Sequence, residues 1–444
     1  KLLLLVASYA FYAGWDWRFL SLIVASTVVD FAVGARLGRT EGTRARRALL
    51  ALSLAVNLGL LGFFKYFNFF VDSGAAFLSW LGLEASPSTL SIVLPVGISF
   101  YTFQTLSYTI DVYRRNLEPV RSPLDFALFV AFVPQLVAGP IVRAAHFLPQ
   151  LTSPRRFADV DVRACLTLFL FGFVKKACVA DHFGMVVDRV FEDPAAFAAG
   201  AKWLALSLYT AQIYCDFSGY SDMAIATAGL LGYRLALNFD FPYLATSVTR
   251  FWRRWHISLS SWFRDYLYIP LGGNRVSTVR TGVNLVIVFF LCGLWHGASW
   301  TFVVWGLFHG GFLVVERFVA RRREGGGTAT GGRGAWIGLP YTLLVAMIAW
   351  VFFRSPDLPA AVAYLEGLLG RDGGPAPSEA VDGTWWWIVL VGFAFVHALL
   401  GTTRLKEGID RLPPPLFAVL YGAAVALALP FAAAGYTPFI YFQF

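Results

Sequence analysis

The chain has 444 residues, 57% of them hydrophobic and 14% charged, with a formal net charge of +9. Soluble globular chains carry about 25% charged residues, so this composition excludes an ordinary soluble domain and points to an integral membrane protein. The basic excess does not mark a nucleic-acid binder: the arginines are spread over short loops between apolar runs, which is the pattern of membrane topology and lipid headgroup contact.

Spans need roughly 20 mostly apolar residues. In chain order, such stretches fall at about 2–13, 17–35, 48–70, 90–110, 164–180, 203–231, 282–299, 300–318, 335–353, 385–402 and 413–434, which predicts about eleven spans. The first is short and opens with Lys1 rather than Met, so a further hydrophobic segment is expected upstream. Phe126 to Pro140 is short, ends in Ala-Gly-Pro, and reads as re-entrant. The segment 325–334, GGGTATGGRG, is a flexible linker on the cytoplasmic side. No internal repeat stands out, and residues 1–444 read as one integral-membrane domain. The cysteines Cys165, Cys178, Cys215 and Cys292 sit in apolar stretches without metal or disulfide spacing.

Lysine and arginine orient the spans. The loops 36–47, 111–123, 141–163, 232–281, 317–335 and 403–412 hold three quarters of the 36 basic residues and are taken as cytoplasmic. The opposite loops carry acids such as Asp188, Glu192, Asp193 and Asp382. This alternation closes only if 124–140 and 245–275 return to the side they left, which supports the re-entrant reading of both. The C-terminus then falls on the outer face.

Phe251 to Arg275, FWRRWHISLSSWFRDYLYIPLGGNR, is too polar to span a bilayer and too aromatic for a solvated loop. Trp and Tyr favour the membrane interface, and arginine heads snorkel out of it. The stretch, with residues 245–275 as its bounds, reads as a helical hairpin at or dipping into one membrane face, lining a cavity. Its His256 and the His296 of GLWHGASW are the chemically interesting pair. His296 lies well inside an apolar run, flanked by Gly293 and Gly297, and an ionisable group there is a functional candidate by default. An imidazole near neutral pH takes a proton from a hydroxyl and returns it to a leaving thiol. The alternative is a structural histidine bonding between helices. His256 has three readings: orienting His296, binding the donor thioester, or bracing the hairpin. Arg253, Arg254, Arg264 and Asp265 read as ion pairs and headgroup contacts or as substrate ligands. Tyr214, Asp216, Ser218, Tyr220 and Asp222 interrupt an apolar span and form either a polar tunnel wall or a network to Arg234 or Lys176. Lys175 and Lys176 read as snorkelling or paired, and His309 as helix packing. No serine nucleophile motif, phosphate loop or metal spacing is present.

RRWHISLSSWFRDYLYIPLGGNR and LWHGASW, together with FFKYFNFF, LPVGISFYTFQTLSY, PQLVAGPIVR, QIYCDFSGYSDMA and the terminal PFIYFQF, resemble the membrane-bound O-acyltransferase superfamily, and within it the bacterial branch that O-acetylates alginate, peptidoglycan and cellulose. The resemblance runs through nearly the whole chain. It implies an all-α, polytopic transmembrane fold with re-entrant segments around a central tunnel, in a bacterial inner membrane. It implies His296 as the catalytic base with His256 in support, and no bound cofactor. It also implies acetyl-coenzyme A as donor and an extracytoplasmic partner of the serine-hydrolase-like (SGNH) kind, with membrane lipid around the spans. The tail is similar to the FIYF-type end of a partner peptide in teichoic-acid D-alanylation, which makes Tyr441 a candidate acyl relay; an aromatic interface anchor is the other reading of that tail. The expected function is transfer of acetyl from a cytoplasmic thioester to an extracytoplasmic polysaccharide. Teichoic-acid D-alanyl transfer and a non-enzymatic membrane transporter are the alternatives.

Overall fold

The structure, a computed structural model, describes every residue except 84–88, 137–138, 325–332, 372–382, 403–407, 410, 433–438 and 440–444. Most of the linker 325–334 and Tyr441 therefore lie outside the described residues. Every regular element among the described residues is helical, with no strand. Among them, seven helical segments are long and apolar enough to cross a membrane: Leu2–Leu37, Thr43–Trp80, Thr278–His296, Trp300–Ala320, Ile337–Arg354, Gly383–Thr402 and Pro414–Ala432. The protein is a polytopic helical membrane protein.

All the expected spans fall on helices, but not one for one. The 36 residues of Leu2–Leu37 would measure about 54 Å as one helix, well beyond a hydrocarbon core of about 30 Å. A tight turn at Trp17–Phe19 divides them, where Asp16 accepts the Arg18 amide. The stretch 164–180 is a helix, Val162–Phe173, continued by a wide turn, Val174–Ala180. The stretch 203–231 lies on one 32-residue helix, Ala199–Leu230. The stretch 90–110 is helical only from Ile98, because Gly97 holds a left-handed backbone at φ 74° that closes the helix on its upstream side.

Two compact units account for the chain: Lys1–Val160 with Thr227–Ala236, and Asp161–Ala226 with Leu237–Phe444. In the first, Leu20–Leu37, Thr43–Leu61 and Ile98–Tyr113 pack together around a buried carboxylate. Asp30 accepts from Ser53 Oγ at 2.5 Å, Asn57 Nδ2 at 2.8 Å and Thr109 Oγ1 at 3.1 Å. A buried charge is tolerated when it is hydrogen-bonded in this way, and the three donors come from two neighbouring helices. At the end of the same bundle, buried Arg46 donates to the carbonyls of Leu37, Thr40, Val112 and Tyr113. It thereby satisfies carbonyls that two helix C-termini leave over. Also in this unit, the short helices Pro123–Ala131 and Val133–Leu136, broken at extended Phe132, cover most of Phe126–Pro140.

In the second unit, Thr278–His296 and Trp300–Glu324 form a closely packed helical hairpin. Gly293 and Gly306 make it possible: a Cβ on either would overlap a carbonyl of the facing helix, Phe302 or Phe289. Small residues at such crossings are how apolar helices gain contact without a hydrophobic driving force between them. Residues 245–275 are three short helical pieces, Val248–Trp252, Ile257–Phe263 and the wide turn Arg264–Tyr268. Glu316 of the long hairpin helix caps the first of them, accepting the Val248 and Thr249 amides at 2.6 and 2.9 Å.

Candidate active site

His256 sits in the break between Val248–Trp252 and Ile257–Phe263, with φ 43° and ψ 54°. A non-glycine residue in that region is uncommon and costly, and persists where neighbours over-determine it. Here the constraint is backbone pairing: the Ile257 amide donates to the Asn238 carbonyl and the Asp240 amide to the Arg254 carbonyl, both at 2.9 Å. The side chain is fully buried. Its Nδ1 lies 3.1 Å from Asn238 Oδ1. Phe217 meets the ring edge-on at 4.7 Å, with Trp295 at 5.8 Å and Phe239 at 6.4 Å.

His296 is the last residue of Thr278–His296, and Gly297 beyond it takes extended backbone. The imidazole is 5% exposed. It stands among Trp295 at 5.0 Å, Trp305 at 4.9 Å and Phe353 at 5.3 Å. The two histidine rings are 6.4 Å apart, inclined at 62°. Residues far apart in sequence thus form one buried, aromatic-walled pair. The surrounding rings keep water away from the imidazole.

The polar residues of Ala199–Leu230 take up ion pairs. Asp216 pairs with Lys176 at 2.6 Å, and Lys176 also pairs with Asp181 at 2.6 Å. Asp222 pairs with Lys175 at 2.5 Å, and Lys175 donates to Ser218 at 3.0 Å. The wide turn at Val174–Ala180 supplies both lysines to one stretch of the facing helix. Tyr220 packs on Phe439 at 5.0 Å, and Phe439, buried, also meets Phe217 at 5.8 Å. The described residue nearest the chain end therefore docks on the ring that flanks His256.

Arg254 and Arg264 of the aromatic stretch pair with carboxylates rather than with the histidines. Arg253 is exposed. Arg254 lies 3.8 Å from the Asp240 carboxylate and is half-exposed. Arg264 pairs with Asp265 at 2.7 Å, and that hydrogen bond raises the guanidinium pKa above its ordinary value. His309 is buried and takes the Trp252 indole N–H at 3.4 Å. It meets Trp305 edge-on at 5.0 Å, which links it to His296. His397 packs among Tyr214, Phe241 and Phe393.

Sequence reasoning missed Asn238, a fully buried amide that holds both His256 and Ser258. It also missed Trp305 and Phe353, which complete the wall around His296. The one signal for Asn238 was its isolation as a polar residue between Leu237 and Phe239.

Residues 112–355, which contain both histidines and Asn238, match the model of MBOAT, the membrane-bound O-acyltransferase family. The chain is similar to "Probable alginate O-acetylase AlgI" of Azotobacter vinelandii, 45% identical over 365 residues, 81% of this chain and 71% of that one. The protein of the same name from Pseudomonas putida is 39% identical over 471 residues, 100% of this chain and 94% of that one. A "Peptidoglycan O-acetyltransferase" of Helicobacter pylori is 38% identical over 399 residues, 84% of this chain and 74% of that one. With the all-helical fold, the buried histidine pair and these matches together, the chain belongs to the membrane-bound O-acyltransferase family.

Proposed function

We propose that this O-acyltransferase moves acetyl groups from acetyl-coenzyme A, on the cytoplasmic side of a bacterial inner membrane, toward the hydroxyls of an extracytoplasmic polysaccharide. The observation that carries the reading is the buried pair of His256 and His296, with rings 6.4 Å apart. His296 is the base. As the accepting oxygen bonds to the thioester carbonyl carbon, its proton passes to the imidazole. The tetrahedral intermediate collapses with cleavage of the C–S bond, and the departing sulfur takes the proton back. The helix C-terminus at His296 stabilises the transient imidazolium, and the aromatic walls limit competing hydrolysis of the thioester.

The names of the relatives, alginate and peptidoglycan acetylating proteins, support acetyl as the group and a cell-envelope glycan as the final acceptor. The asymmetry of basic loops supports a cytoplasmic donor and an outer C-terminus. In this reading 124–140 and 245–275 are re-entrant, and the ion-paired face of Asp216, Ser218, Tyr220 and Asp222 borders the passage between the two sides. Tyr441 is the first acceptor: its phenol oxygen takes the acetyl group, then yields it to an extracytoplasmic serine-hydrolase-like partner and leaves as a phenolate that is reprotonated. A phenol leaves more readily than a sugar alcohol, so the acetyl group stays activated. The docking of Phe439 beside Phe217 supports this, since Phe217 meets the His256 ring.

The test is His296→Gln in purified, lipid-reconstituted protein given radiolabelled acetyl-coenzyme A. Transfer is expected to fall by about 100-fold or more with membrane insertion intact. Normal transfer would remove the base from His296 and favour a transporter. In the same assay, preference for a carrier-bound aminoacyl donor would favour D-alanyl transfer.

A further inference from the structure

Asn238 carries more information than a packing contact does. Its Oδ1 lies 3.3 Å from the Ser258 backbone nitrogen and 2.9 Å from Ser258 Oγ. A backbone N–H can only donate, so the Asn238 atom facing it must be the oxygen. The same oxygen faces His256 Nδ1 at 3.1 Å. An amide oxygen only accepts, so Nδ1 must carry a hydrogen. In the neutral ring, Nε2 is then the unprotonated nitrogen. The amide cannot turn over to offer the opposite pairing, because the flip would set an NH₂ against the Ser258 amide; in the orientation this fixes, Nδ2 donates to Ser221 Oγ at 3.1 Å. Three anchors hold Asn238 itself: Ser221, Ser258 and its own carbonyl, which takes the Ile257 amide. All these groups are buried or nearly so. His256 Nε2, buried, has no hydrogen-bond partner among the described residues.

We infer that Asn238 is a positioning residue that locks His256 in the Nδ1–H tautomer, so that neutral His256 works in the pair only as a hydrogen-bond acceptor through Nε2. This rests on the reading of the His256–His296 pair as the reacting centre. It narrows the three roles that the sequence leaves open for His256. A neutral acceptor does not stabilise the developing oxyanion of the thioester, which needs a donor. It does orient a donor: the hydroxyl that accepts the acyl group, or an N–H of His296. His309 shows that the lock is local: there a nitrogen donor, the Trp252 indole, faces Nδ1, which selects the opposite tautomer.

Two variants and one spectrum test the assignment. Asn238→Leu keeps the approximate shape and removes the acceptor; Asn238→Asp keeps acceptor oxygens toward His256 and Ser258. Turnover of the lipid-reconstituted Leu variant is expected to fall by about ten-fold or more, with the donor KM within about two-fold of wild type. The Asp variant should recover most of that turnover. Histidine ring-nitrogen NMR of the full chain in nanodiscs, with His256 assigned by difference against His256→Asn, should show Nδ1–H in wild type and a shift toward Nε2–H in the Leu variant. A folded Leu variant with wild-type turnover, an equal loss in both variants, or an Nε2–H His256 in wild type would each overturn the inference. If the Leu variant does not insert, the wild-type spectrum decides by itself. Full activity in His256→Asn would instead overturn the pair as reacting centre, whereas an inactive His256→Asn beside an active Asn238→Leu would overturn only the role of Asn238.

Discussion

The backbone of His256 stands at φ 43°, a region that alanine adopts only at a cost of about 1–2 kcal/mol. Asparagine enters that region more readily. His256→Ala and His256→Asn both remove the imidazole, and both should lose transfer activity to the same degree. They should differ in stability: the thermal midpoint of the Ala variant is expected to lie below that of the Asn variant, by about 1 kcal/mol in unfolding free energy. Equal midpoints would mean that the turn relaxes on substitution. His296 carries no such strain, since it ends a regular helix. Its replacement should therefore leave backbone strain unchanged, which makes the two histidines separable by measuring activity and stability together.

At the scale of elements, buried polar groups tie helices together. In lipid there is little hydrophobic drive between helices, and an unmet carbonyl has no water to turn to. Arg46 answers four carbonyls at once, at 2.6 and 2.9 Å to Leu37 and Thr40 and at 3.1 and 2.7 Å to Val112 and Tyr113. Its guanidinium also lies 5.7 Å from the Tyr113 ring. Arg46→Leu is expected to cost about 2–4 kcal/mol, because it removes charged hydrogen bonds and leaves buried acceptors unmet. Arg46→Lys should recover little, since a compact ammonium cannot reproduce the planar fork. Thermal unfolding of the detergent-purified protein measures both. Full rescue by lysine would show that charge alone, not the fork, holds the two helix ends.

For the whole molecule, the basic and acidic loops predict the side on which each lies. Reporter fusions in 317–335 should be cytoplasmic and those in 354–384 extracytoplasmic. A swapped result would reverse the direction of transfer proposed above. The relay has its own test. Tyr441→Phe keeps the aromatic bulk of the tail and removes one hydroxyl, so glycan acetylation should be lost while the protein stays in the membrane. Wild-type acetylation in that variant would leave the tail as an anchor, with Phe439 on Phe217 and Tyr220 as its described contact.

Composition alone made this a membrane protein, because 14% charged residues cannot cover a soluble surface of this size. Hydrophobic run length located the helices, and two short motifs picked out His256 and His296. What the sequence could not determine is which faces meet. In a soluble helix the polar side marks the exterior, but a lipid-facing surface and a buried one are both apolar. The sequence of Ala199–Leu230 therefore could not choose between Arg234 and Lys176 as partner of its carboxylates; packing gave Asp216 to Lys176 and Asp222 to Lys175. Nor did that sequence show that Phe217 would stand against His256. The same holds for Asn238, whose neighbours in sequence are apolar and whose partners are brought to it by a left-handed turn at His256. Helix content is local and was legible. The 6.4 Å between two distant imidazoles is a product of packing, and only the tertiary structure decided it.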